Sequence, residues 1–62
     1  MQNKLTFRGE IVGKGDIVID GDGEEGVIVD INFKKKVVSL YGDGEGWYVS
    51  EKYDNAGELK FI

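Results

Sequence analysis

The stretch Gly26-Val27-Ile28-Val29-Asp30-Ile31-Asn32-Phe33 decides the fold class of this 62-residue chain. Its apolar side chains recur at every second position: Val27, Val29, Ile31 and Phe33. That spacing is typical of one face of a β-strand. The alternation predicts a strand whose inner face carries those four side chains. It also predicts that Asp30 and Asn32 are exposed and that Ile28 lies on the opposite face.

Shorter apolar runs lie on both sides of this strand and are separated by turns rich in glycine. Leu5, Phe7, Gly9 and Ile11 alternate with polar residues, which predicts one N-terminal strand with those positions inside. Further strands are predicted at residues 17–19, 37–41, 47–50 and 58–62, with one 3₁₀ turn between residues 50 and 56. Ten glycines, no proline and no helix-length segment indicate one all-β domain over residues 1–62, a small five- or six-stranded barrel.

Glycine at position 26 has a specific predicted role at the start of the central strand. A small barrel needs strands that bend sharply so that the sheet can curl onto itself. We therefore predict a bent or strained backbone at Gly26, and a larger loss of stability for Gly26→Val than for Glu24→Ala.

The composition argues against catalysis and against nucleic acid as the main partner. The chain contains no histidine and no cysteine, so it lacks the commonest general base, transition-metal ligand and strong nucleophile. We predict a protein that is not an enzyme and that has no cofactor and no metal site. Eight basic and twelve acidic residues give a net charge of −4, which opposes attraction to phosphate backbones.

The chain has no apolar run that is long enough for a signal peptide or a membrane span. A soluble, cytoplasmic protein is the expectation. Its size and simplicity suggest an accessory, regulatory or inhibitory protein of a phage or bacterium.

The order of the predicted elements, which is a strand, a turn, a glycine and a hairpin, resembles that of a known family. The segments that carry it are Gly15-Asp16-Ile17-Val18-Ile19, Gly23, Gly26-Val27-Ile28-Val29-Asp30-Ile31 and Val37-Val38-Ser39-Leu40. This pattern resembles the KOW motif of SH3-like and Tudor-like barrels, and residues 43–48 look like the following loop and strand. The resemblance implies an SH3-like barrel. Nucleic-acid-binding members carry Lys or Arg in the turn before the glycine, whereas this chain has Glu24 and Glu25.

Aromatic and acidic residues cluster near the third glycine-rich turn and form the candidate partner-binding site. The predicted site residues are Tyr41, Asp43, Glu45, Trp47, Tyr48 and Tyr53. In Tudor-like barrels, aromatic residues near this loop resemble a cage for a methylated cation, which cation–π attraction would stabilise. These rings could instead fill the core. Because adjacent strand residues point to opposite faces, Trp47 or Tyr48 should remain on the surface.

Two other loops carry charge patterns that are typical of binding sites. Lys34, Lys35 and Lys36 form a basic hairpin loop that could contact phosphates or could simply keep a sheet edge soluble. Asp20, Asp22 and Glu24 occupy the first acidic positions of a calcium loop, but the glycine and the glutamate that such a loop requires are absent. A solvated turn is the preferred interpretation of this acidic segment.

The leading functional prediction is a non-enzymatic protein-binding module that uses the aromatic and acidic cluster. The alternative is a KOW-like binder of nucleic acid or ribonucleoprotein that uses Lys34, Lys35 and Lys36. A third possibility is a structural subunit that completes its fold in an oligomer.

Overall fold

The computed structural model describes residues 4–51 and 58–62, which form strands and turns. The strands are β1 (Lys4–Phe7), β2 (Glu10–Gly13), β3 (Ile17–Ile19), β4 (Glu25–Asn32), β5 (Val37–Gly42), β6 (Glu45–Ser50) and β7 (Lys60–Phe61). The all-β prediction is confirmed, and the described part of the chain contains no helix. Accordingly, no helix in that part is long and apolar enough to cross a membrane. The predicted 3₁₀ turn lies mostly outside the described residues.

The strands form two antiparallel sheets. Strands β1 and β2 pair with each other, and the second sheet has the order β6-β5-β4-β3-β7. No strand pairing joins the two sheets within the described ranges, so closure into a barrel is not observed there. The coarse architecture is therefore a two-stranded hairpin together with a five-stranded sheet.

One hydrophobic core contains side chains from both sheets. Its buried members are Leu5, Phe7, Val12, Val18, Ile28, Ile31, Val38, Leu40 and Val49, with Trp47, Leu59 and Phe61 packed at its margin. We call the side of the five-stranded sheet that contacts this core the inner face, and the other side the outer face. Arg8 also links the hairpin to the large sheet, because its Nη2 donates a hydrogen bond to the Ser50 carbonyl oxygen at 2.9 Å.

The N-terminal segment is a hairpin, so the prediction of one continuous strand there is wrong. Arg8 (φ 50°) and Gly9 (φ 83°) both have positive φ and form the turn between β1 and β2. Leu5 and Phe7 are buried as predicted, but the reversal leaves Ile11 72% exposed and buries Val12 instead. The split of this segment is one reason why the described residues form seven strands and not five or six.

A β-bulge in β4 overturns part of the predicted inward pattern. Ile28 pairs with Leu40, and the next pair is Asp30 with Ser39, so Val29 is an extra residue without a partner in the register. The inner face consequently carries Ile28 and Ile31, whereas Val29 is 50% exposed.

The other predicted positions in this stretch have mixed outcomes. Asp30 and Asn32 are exposed and Ile31 is buried, as expected. Val27 is only half-buried, and Phe33 lies beyond the end of β4 and is 40% exposed. Four predictions in this stretch are therefore wrong, because they assumed an unbroken alternation. They are those for Val27, Ile28, Val29 and Phe33.

Candidate functional site

The outer face of strands β4 to β6 carries two exposed tyrosines. Tyr41 pairs with Gly46, and Ser39 pairs with Tyr48, so each large ring lies opposite a small residue on the neighbouring strand. Tyr41 is 50% exposed and Tyr48 is 69% exposed. The expectation that Trp47 or Tyr48 stays on the surface is confirmed by Tyr48.

This arrangement of large and small residues produces a depression in the outer face. Its volume is about 230 Å³, and its lining includes Val29, Ser39, Tyr41, Gly46 and Tyr48. The tyrosine rings stand at opposite corners, while Ser39 and Gly46 are too small to fill the space between them. A cavity of this size is smaller than the typical ~300–1,000 Å³ of a small-molecule site.

Trp47 lies on the inner face, opposite to the two tyrosine rings, although it also contributes to the lining of the depression. It pairs with Leu40 and packs at the margin of the core. Its Nε1 atom is buried and has no hydrogen-bond partner in the described part of the chain. Trp47 therefore contributes packing, and the predicted cluster is divided between the two faces of the sheet.

The tryptophan also explains the need for glycine at position 26. A Cβ atom on Gly26 would lie 2.9 Å from Trp47 Cη2 and 3.1 Å from Leu40 Cβ. Gly26 is not among the residues with positive φ. A positive φ at this position is therefore excluded, and the close approach of the indole ring is a physical reason for the glycine.

We expect Gly26→Val to lower the free energy of unfolding by about 1–3 kcal/mol, because the indole ring must move away from β4. Urea denaturation followed by the fluorescence of Trp47, the single tryptophan, would measure this loss. Glu24→Ala is the control, since Glu24 is exposed and its change should stay within about 0.5 kcal/mol. Equal midpoints for the two variants would contradict this role of Gly26.

The acidic residues of the predicted site do not lie beside the tyrosines in the depression. Asp43 and Gly44 form the tight turn between β5 and β6, with φ angles of 54° and 79°. Asp43 contributes to a different hollow, which it shares with Asp22, Gly23, Glu24 and Glu25. Glu45 is two residues before Trp47 in β6, so the alternation places it toward the inner side of the sheet.

The acidic loop between β3 and β4 is organised by its own hydrogen bonds. Asp20 Oδ1 accepts hydrogen bonds from the backbone N–H groups of Asp22 at 3.0 Å and Glu24 at 2.9 Å. This carboxylate therefore holds the turn together, as in other Asx turns. Within the described ranges, no three acidic side chains are grouped in a way that could hold a metal ion.

The basic residues lie at the other end of the β4–β5 hairpin. Lys34, Lys35 and Lys36 are all exposed. Lys36 Nζ is 3.6 Å from Glu51 Oε1, and the Lys36 carbonyl oxygen accepts a hydrogen bond from the Glu51 N–H at 3.0 Å. This loop is thus separate from the tyrosine depression. Tyr53, the remaining predicted site residue, lies outside the described residues.

Sequence reasoning missed four residues that line the depression: Val29, Ser39, Leu40 and Gly46. Val29 was predicted to be in the core, and the small residues have no chemistry of their own that would single them out. A possible signal was the cross-strand pairing of large with small residues, but that pairing can be read only after the β5–β6 register is known.

Comparison with known proteins gives no further information about this site. No family model, curated protein or solved structure matches the chain.

Proposed function

We propose that this protein is a non-enzymatic protein-binding module and that the outer face of β4 to β6 is its contact surface. The observation that carries the proposal is the pair of exposed rings, Tyr41 and Tyr48, on either side of an unfilled depression. Tyrosine is enriched among the residues that dominate the energy of protein interfaces. We further propose that the fold is a variant of the SH3-like barrel, as the resemblance to the KOW and Tudor-like barrels implies.

The position of the tyrosines supports a binding role over a structural one. Replacing either ring would remove little from the core, whose buried members come from other positions. The rings are carried by two paired strands, β5 and β6, which hold them at a fixed separation. A rigid aromatic surface loses little conformational entropy when a partner binds.

Site-specific photocrosslinking in the cells that produce the protein would test this proposal. A photoreactive phenylalanine derivative at position 48 should form covalent adducts with protein, whereas the same group at position 11 should not. Position 11 is the matched control, because Ile11 is similarly exposed but belongs to β2 in the other sheet. Adducts with nucleic acid from position 35, and none from position 48, would favour the basic loop and the alternative function.

Tyr48→Ala should weaken binding of the crosslinked protein at least about fivefold, which corresponds to roughly 1 kcal/mol for an interface anchor. Its free energy of unfolding should change by less than about 1 kcal/mol, because Tyr48 is 69% exposed and contributes to the sheet only through cross-strand contacts. Isothermal titration calorimetry would measure the affinity. Unchanged affinity in a folded variant would contradict the proposed surface.

A further inference from the structure

The exposed apolar surface of the outer face extends beyond the two tyrosines. Register places Ile17, Val27 and Tyr41 side by side across β3, β4 and β5. Ile17 is 36% exposed, and Ile62, whose N–H donates to the Ile17 carbonyl oxygen, is 75% exposed. Contiguous exposed apolar surface of this kind marks an interaction site.

One end of the outer face is bordered by the acidic hollow between the β3–β4 loop and the β5–β6 turn. All charged residues that line this hollow are acidic: Asp22, Glu24, Glu25 and Asp43. The ion pairs that join described residues lie elsewhere: Lys14 with Asp30 and Lys36 with Glu51. The border of the apolar surface is therefore negatively charged, which favours a positively charged partner.

The form of this negative charge suits a flexible cationic side chain. Within the described ranges, no three acidic side chains are grouped in a way that could hold a metal ion. Lys60 does not neutralise the hollow directly, because it is two strands away from Glu25, with Ile19 of β3 between them in the register. Spread carboxylates of this kind are reached most easily by the long side chains of Lys or Arg.

The acidic hollow and the tyrosine depression lie close together along β5. Tyr41 lines the depression, and Asp43, two residues further along the chain, lines the hollow. Because a strand rises ~3.3 Å per residue, the backbone positions of these residues are separated by roughly 7 Å. An extended peptide covers this distance with two residues, and its side chains i and i+2 point to the same side.

We propose that this surface binds an extended segment of a different protein in which an apolar residue lies two positions from Lys or Arg. The apolar side chain fills the depression between Tyr41 and Tyr48. The cationic group then reaches the carboxylates of Glu25 and Asp43. This inference rests on the proposed function, since it names the chemistry of the partner for the same surface.

Charge complementarity selects this partner over the alternatives. The chain as a whole has a net charge of −4. A nucleic acid, or an acidic protein surface, would bring further negative charge against Glu25 and Asp43. A purely apolar segment would fill the depression, but it would shield these carboxylates from water without giving them a partner, which costs free energy.

Selection from a phage-displayed library of random peptides against the full, immobilised chain tests the proposal. We expect the enriched peptides to share an aliphatic or aromatic residue two positions from Lys or Arg. The most enriched peptide would be synthesised with a fluorescent label, and its dissociation constant would be measured by fluorescence anisotropy. Replacing its basic residue by alanine should weaken binding.

A matched pair of variants tests the contribution of the acidic border to the binding of that peptide. Glu25→Gln should raise the dissociation constant about threefold, as expected for the loss of one exposed ion pair. Glu10→Gln is the control, because it removes the same charge from another exposed first residue of a strand, in the other sheet. Its dissociation constant should be unchanged, and far-UV circular dichroism would establish that both variants are folded.

The possible outcomes separate this inference from the proposed function. Enriched peptides without a basic residue would overturn the inference, as would no enrichment relative to Tyr48→Ala or equal constants for Glu25→Gln and Glu10→Gln. Self-association of the chain that Tyr48→Ala abolishes would also overturn it, because the occupant would be a second copy. If position 48 still crosslinks to a different protein in cells, the proposed function stands and only this partner chemistry is excluded. If position 48 forms no protein adducts and no peptide is enriched, both proposals fail.

Discussion

Phe7→Ala should lower the free energy of unfolding by about 3–5 kcal/mol. Phe7 is completely buried, and its ring fills the space between the β1–β2 hairpin and the large sheet. Domains of this size rarely have more than about 3–5 kcal/mol of total stability. The variant is therefore expected to be largely unfolded at 25 °C, which far-UV circular dichroism and urea denaturation would detect.

Two further variants test this explanation of the Phe7→Ala result. Ile11→Ala changes an exposed residue of the same hairpin and should cost less than about 0.5 kcal/mol. Phe7→Leu retains most of the buried apolar volume and should leave enough folded protein for a measurable transition. A stability loss below about 1 kcal/mol for Phe7→Ala would mean that the hairpin does not pack as described.

Gly42→Ala should have the second-largest effect, a loss of about 3 kcal/mol, at the upper end of the usual range for overpacking. A Cβ atom at this position would overlap the carbonyl oxygen of Glu25 and approach Gly26 Cα at 3.3 Å. Both neighbours belong to the backbone of β4, so no side-chain rotation can relieve the overlap. Strands β4 and β5 would have to separate at this end of their pairing.

Gly46→Ala provides a matched control for Gly42→Ala in the adjacent strand. Its new methyl group would lie 3.5 Å from the Leu40 carbonyl oxygen and 3.8 Å from Tyr41 Cδ1, which are ordinary contact distances. We expect this variant to stay within about 0.5 kcal/mol of the unchanged protein. Similar midpoints of thermal unfolding for the two alanine variants would contradict the proposed clash at Gly42.

The sequence predicts turns correctly where the residues themselves tolerate the positive φ angles that a tight turn requires. The glycine-rich segment 42–46 predicts a reversal of the chain, and the structure has one there, but as a tighter turn of two residues, Asp43 and Gly44, between β5 and β6. The glycine-rich turn before β3 was likewise expected between two apolar runs, and Gly15 in that turn has a φ of 94°. These predictions depended only on residues that tolerate positive φ.

Turns and bulges that interrupt the alternation of apolar and polar residues could not be predicted from that alternation. Arg8 adopts a positive φ, which is uncommon for a residue other than glycine, so the alternation from Leu5 to Ile11 concealed a turn. Val29 is equally compatible with a core position and a bulge, and its sequence neighbours do not distinguish them. Within the candidate site, alternation separated Trp47 from Tyr48, but only the observed register places Tyr41 and Tyr48 around one depression.

The strand pairings also set an order for folding. Four pairings join consecutive strands: β1 with β2, β3 with β4, β4 with β5, and β5 with β6. Only the pairing of β3 with β7 connects distant parts of the chain within the described ranges, through Val18 with Phe61 and Ile19 with Lys60. Local contacts form quickly, whereas closing a long loop carries an additional entropic cost. The hairpins are therefore expected to form first, and β7 is expected to pair with β3 last. In the native state, the amide hydrogen of Ile62 should exchange with solvent faster than the amide hydrogens of the central strands.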